Sequence, residues 1–259
     1  MTTELSRAVK TDKNAQAIVR QQLKATQDFL IDDCGRPAGK KFELMRLPYD
    51  LRHLVLEHLT PKQNIRVFLR NSRIPIRLPE AAHAGDKKLR RECLLVALNM
   101  CTIEIHSGPG NASLRNWLSK IDLTGIESFC ETGFDAITSL TFPYFSRFPY
   151  GSPGITANND VGLALACRNL RSMSMNFHSE ELFRIASRHR AREAGFVTAC
   201  ALDIRTCYQL DGLLGASKLE RVSFVAGGSK ELLLGLEEVA AWFKKGFQER
   251  GQKVLIELC

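Results

Sequence analysis

The chain has 259 residues, 44% of them hydrophobic, and 36 Lys and Arg against 28 Asp and Glu give a formal charge of +8. That size and apolar content suit a globular protein with one main domain and a small N-terminal appendage. No run approaches the ~18 apolar residues of a bilayer span, and the start of the chain is polar, without the apolar stretch of a secretory signal. The expected location is therefore the cytosol or nucleus, where the eight cysteines stay reduced and serve mostly as small core residues.

Residues 1–41 are poor in large apolar side chains. Ala15, Ile18, Val19 and Leu23 are loosely helical among Gln, Lys and Thr, which predicts a polar tail or marginal helix that buries little. Next comes a segment expected to be helical, residues 42–80, whose most informative stretch begins at Leu47-Pro48. Proline suits a helix start because its missing N–H would have no intrahelical partner there. Asp50 falls in the first turn, at the positive end of the helix dipole. Leu51, Leu54, Val55 and Leu59 recur at helical spacing as one apolar stripe, flanked by Arg52, His53, Glu57 and His58. Pro61 ends this helix, and Ile65, Val67, Phe68 and Leu69 predict a second short helix.

From residue 81 to 259 the organising feature is a kernel of the form apolar-x-x-apolar-x-apolar. Six copies run through Met100, Ile103 and Ile105; Ile137, Leu140 and Phe142; Leu170, Met173 and Met175; Ala199, Leu202 and Ile204; Leu219, Val222 and Phe224; and Gly251, Val254 and Ile256. Period-two alternation predicts strands, and helical signals between them predict parallel pairing through right-handed crossovers. The expected helices cover 113–121, 160–167 with Asp160 as N-cap, 180–192 and 231–247, with a short turn at 211–217. The fold class is thus α/β with a largely parallel sheet, built as stacked strand–helix units. An ordinary α/β domain is the alternative, because alternating strands do not fix curvature.

Motifs for chemistry are missing. There is no G-x-S-x-G elbow, H-E-x-x-H pair or Walker loop, so no enzymatic activity and no cofactor are expected. Gly227-Gly228-Ser229-Lys230 and Ser107-Gly108-Pro109-Gly110-Asn111 read as turns rather than phosphate cradles. No metal site is expected, since Cys200 and Cys207 lack a C-x-x-C partner and His106, His178 and His189 are scattered. Basic groups at Lys87, Lys88, Arg90 and Arg91 and at Arg184, Arg188, Arg190 and Arg192 lack interleaved aromatics, which makes nucleic acid the less favoured partner. One loop stands out as a candidate partner-binding surface: Phe142, Tyr144, Phe145, Arg147, Phe148 and Tyr150, with two prolines, carry the residue types that dominate interface energies. The competing reading folds Phe142, Phe145 and Phe148 back onto the core.

The order Leu47-Pro48, Asp50-Leu51, Val55-Leu56, Leu59 and Thr60-Pro61 resembles the first half of the F-box, the helical module that docks substrate receptors onto the Skp-type adaptor of cullin-RING ubiquitin ligases. The tryptophan-bearing second half is replaced by Arg70-Asn71-Ser72-Arg73-Ile74-Pro75. The resemblance implies that Leu47, Pro48, Asp50, Leu51, Val55, Leu56 and Leu59 contact the adaptor or pack the module, with Pro61 opening the next segment. The later kernel is similar to leucine-rich repeats, but His178 and Gly227 stand where those repeats carry an inward Asn. With Lys88 to Glu92, Cys101 to Ile105 and Trp117-Leu118, the layout resembles a fungal group of F-box-like proteins. That implies a substrate receptor whose partners are the adaptor and an unknown protein target, with no membrane. The alternative is a freestanding interaction domain with the helix packed into its own body.

Overall fold

The computed structural model describes residues 44–68, 74–83, 85–145, 158–178, 200–227 and 230–259. The chain divides into two compact units, residues 1–60 and 61–259. In the first, a 3-10 turn at Leu44–Arg46 leads through Pro48 into α1 (Tyr49–Leu59). Its end is local. The Thr60 N–H and hydroxyl both donate to the Leu56 carbonyl, at 2.9 and 2.7 Å, and Thr60 is extended, as a residue before proline must be.

The second unit holds six parallel strands in sequence order: β1 (Gln63–Val67), β2 (Cys101–Ile105), β3 (Ser139–Phe142), β4 (Ser172–His178), β5 (Arg221–Gly227) and β6 (Leu255–Leu258). Each crossover carries a helix: α2 (Lys87–Asn99), α3 (Gly108–Leu118), α4 (Asn159–Ala166), α5 (Ala201–Tyr208) and α6 (Lys230–Glu249). When every strand pairs with the next and every crossover has the same hand, the helices gather on one side of the sheet. The burial pattern agrees. Ile65, Ile103, Leu140, Met173, Val222 and Ile256 are register partners pointing into one core, and Val67, Ile105, Phe142, Met175 and Phe224 form the next row. Leu95, Leu98, Leu114, Leu118, Leu163, Ile204, Val239 and Phe243 meet them from the helices. A chain of aromatic rings runs through this core, from Phe142 and Phe145 to Phe177, Tyr208, Phe224, Phe243 and Phe247, at centroid distances of 4.9–6.0 Å.

Five expectations are corrected. The second helix expected at 65–69 is not found over its described residues, 65–68: Ile65 and Val67 alternate with Asn64 and Arg66, and this period of two makes β1, the first strand of the sheet, while Leu69 lies outside the described residues. The helical segment expected over 42–80 is therefore split near residue 60. Of the kernel at Ala199, Leu202 and Ile204, the first lies outside the described residues and the other two are no strand. Ile204, Cys207 and Tyr208 are buried at helical spacing, with Leu202 on the solvent side of α5. The N-cap of α4 is Asn158, whose side chain accepts from the N–H groups of Asp160 and Val161; Asp160 itself is buried and accepts from Asn111 Nδ2 at 2.6 Å. Finally, Ser107 to Asn111 is the cap and first turn of α3, not a separate turn. Ser107 Oγ accepts from the Gly110 N–H at 3.1 Å, and a Cβ on Gly110 would collide with the Phe68 carbonyl oxygen and lie 2.9 Å from that of Val67. Glycine is required there by the approach of helix and strand.

Candidate functional site

Burial along α1 follows Arg52, Leu56 and Thr60, spaced by four, rather than the predicted stripe. Leu54 is 37% and Leu59 50% exposed, and Leu51 and Val55 are half-buried. Arg52, expected at the polar flank, is buried. Its Nη1 donates to the Leu47 carbonyl at 2.6 Å, and its guanidinium lies over the Tyr49 ring. Leu47 is half-buried, while Pro48, Asp50 and Pro61 are exposed. Of the residues the F-box resemblance singles out, Leu56 is fully enclosed and Leu59 is the most open apolar side chain.

A second surface is set by the sheet itself. The core lies on one face; the other carries, in register, Arg66, Glu104, Thr141, Ser174, Ser223 and Glu257. None of these belongs to the core cluster. Their charges are paired along the sheet. Glu104 accepts from Arg66 Nε at 3.0 Å and lies 3.3 Å from His106 Nε2, while Glu257 accepts from the Ser223 hydroxyl at 3.0 Å and lies 4.0 Å from Arg221.

At the C-terminal ends of β1 to β4, four rings form a row on this side. Phe68 stacks on His106 with centroids 4.4 Å apart and planes 24° apart. Tyr144 follows 6.1 Å from His106, and Tyr144 and His178 stack at 4.8 Å with planes only 3° apart. The spacing is close to the distance between neighbouring strands, so strand pairing builds the stack. The row ends at β5, where the register partner of His178 is Gly227, which has no side chain. Phe68 is 48% and Tyr144 54% exposed. In open parallel sheets the carboxyl ends of the strands are the usual place for ligands.

Of the predicted loop, then, Tyr144 is a surface residue. Phe142 and Phe145 are corrected to the core: Phe142 points inward from β3, and Phe145 packs on Phe177 and Tyr208. Arg147, Phe148 and Tyr150 lie outside the described residues, as do His189 and the basic segment from Arg184 to Arg192. His106 and His178, read as scattered, meet in one row with a tyrosine between them. Phe68, His106 and His178 each directly follow a strand's last inward residue, and it is the pairing of the strands that sets them side by side. The other basic group is partly neutralised, since Lys88 pairs with Glu127 at 2.8 Å and Arg91 with Asp122 at 2.5 Å.

A cleft of about 410 Å³ opens at the other end of the strands, lined by Phe129, Leu165, Arg168 and Lys218 among others. Its polar wall fastens turns together: Lys218 donates to Asn169 at 2.6 Å, and Asn169 Nδ2 donates to the Asp135 carbonyl at 2.5 Å. The thiols near the core are suppressed as nucleophiles. Burial pushes Cys167 and Cys101 up to about 12, and burial followed by the Glu92 carboxylate pushes Cys93 up to about 11.

No protein-family model, curated protein or solved structure matches this chain.

Proposed function

We propose that the chain is a non-enzymatic protein-interaction protein in which α1 docks an Skp-type adaptor and the sheet unit, a degenerate leucine-rich-repeat-like array, holds a protein target. The observation that carries this reading is the exposure of Leu54 and Leu59 on a helix entered through Leu47-Pro48. Apolar side chains left in water on a helix of this kind gain from being covered by a partner. In such an assembly ubiquitin transfer belongs to other subunits, so the role demands no catalytic residue here.

A freestanding interaction domain is the second reading, favoured by the enclosure of Leu56 and the half-burial of Leu51 and Val55, which already occupy part of the helix surface. Binding of the full chain to a purified Skp-type adaptor separates the two. The informative variant is Leu54→Asp with Leu59→Asp, because both side chains are exposed and the fold should survive. Saturable binding that the variant loses while keeping its circular dichroism and melting temperature supports the receptor. Absence of binding by the unaltered chain leaves the freestanding domain.

A further inference from the structure

We infer that the row Phe68–His106–Tyr144–His178 is a docking surface for a carboxylate-bearing peptide segment of a protein partner. This needs only the sheet unit and holds whether or not α1 meets an adaptor.

The first argument is the orientation of the rings. Phe68 with His106, and Tyr144 with His178, turn one face of each ring toward the other, which closes those inner faces and leaves edges along the row, with the far faces of Phe68 and His178 only at its two ends. Bases of single-stranded nucleic acid bind by stacking on open ring faces. Ring edges offer the Tyr144 hydroxyl and an N–H of the His178 ring instead, groups that can donate to an acceptor.

The second argument is which polar groups on this face are committed. Its two carboxylates are engaged, Glu104 with Arg66 and His106, Glu257 with Ser223 and Arg221. The Tyr144 hydroxyl and the His178 ring make no hydrogen bond with the described residues. Among the described residues the carboxylates are thus satisfied within the sheet while these donors stay available, and the complementary partner brings an acceptor of its own. A carboxylate is the strongest such group in proteins, and the net charge of +8 draws acidic segments toward the surface.

The third argument is composition. Phe68 and Tyr144 stand half in solvent beside the donors, and a partner that covers them gains apolar burial at the same site. Among the described residues the charged groups around the row are Glu104 on β2 and Arg66 on β1, already paired, while β3 contributes Thr141 and β5 the Gly227 backbone opposite His178.

Selection of a random dodecapeptide library on the full chain tests this, with a Tyr144→Ala, His178→Ala double variant as the comparison. Both residues are exposed and make no hydrogen bond with the described residues, so the variant should keep the parent's melting temperature. The expected result is enrichment of peptides carrying Asp or Glu beside apolar residues, whose affinity falls at least about tenfold in the folded variant and also falls when their acids become Asn or Gln. Enrichment of neutral or basic peptides, binding that the variant retains, or no enrichment at all overturns the inference. So does preferential binding of a labelled oligouridine that the variant abolishes, which would make the row a nucleic-acid surface.

Discussion

The two faces of the sheet differ by a one-residue phase and are opposite in every other respect. Ile65, Ile103, Leu140, Met173 and Val222 lie in register on the helix side, and one residue later Arg66, Glu104, Thr141, Ser174 and Ser223 lie in register on the other. The first row is sealed under helices, where each large side chain contributes roughly 1.5–3 kcal/mol of apolar burial. The second is held by hydroxyls and ion pairs worth at most about 1 kcal/mol each. Stability therefore resides on one face, and the other is free to change with whatever it binds. This division can be challenged from both sides.

The largest effect should come from alkali. A thiol whose pKa is raised in the folded chain stabilises it only while protonated. The contribution is full below the ordinary value of 9.0 and is lost as pH rises toward about 11 for Cys93 and about 12 for Cys101 and Cys167. In that window the unfolded chain binds fewer protons, so stability falls as pH rises. Urea midpoints should fall steeply above pH 9, and a Cys101→Ala, Cys167→Ala variant should decline less steeply over the same range. An identical slope would mean that burial does not raise these two thiols.

Next in size is Phe177→Ala, which empties a fully buried site between Phe145, Tyr208 and Phe224 and should cost about 3–5 kcal/mol by urea denaturation. Gly110→Ala should cost about 1–3 kcal/mol, because the backbone of β1 must retreat from the new methyl. Ser174→Ala, three residues from Phe177 on the open face, should change stability by less than about 0.5 kcal/mol. A Ser174 effect as large as that of Phe177 would show that both faces are load-carrying.

The legible part of the fold was the part in which one local period decides. Five of the six predicted kernels became strands because a half-buried strand repeats every two residues and the sheet buries a single face. At 65–69 the same alternation is present, but Val67, Phe68 and Leu69 also form a continuous apolar run after Pro61, which fits a helix as readily as β1. From 201 onward the chain is a helix instead, because Ile204 joins Cys207 and Tyr208, three and four residues further on, in one buried set, while Leu202 faces solvent. Helix α2 went unpredicted among its charges, though Leu89, Cys93, Val96 and Ala97 are buried along one side.

The ring row was illegible for a different reason. Phe68, His106, Tyr144 and His178 are unremarkable one at a time, and only the pairing of four strands brings them together. Periodicity reports what a segment buries; it says nothing of which residues become neighbours across a sheet. Likewise the inward turn of Phe145 and the outward turn of Tyr144 depend on how the chain leaves β3, where the Phe145 N–H donates to the Asn176 carbonyl at 3.1 Å.

Because each strand pairs only with its neighbours in sequence, the sheet has no strand that holds distant parts of the chain together. Pulled from its last residues, such a molecule yields β6 first and then α6, with β4 and β5 still joined over seven paired residues, and so on down the array. Single-molecule extension would read this as a staircase in which the chain lengthens by one strand and one helix at a time, each step recording how firmly that unit grips the next.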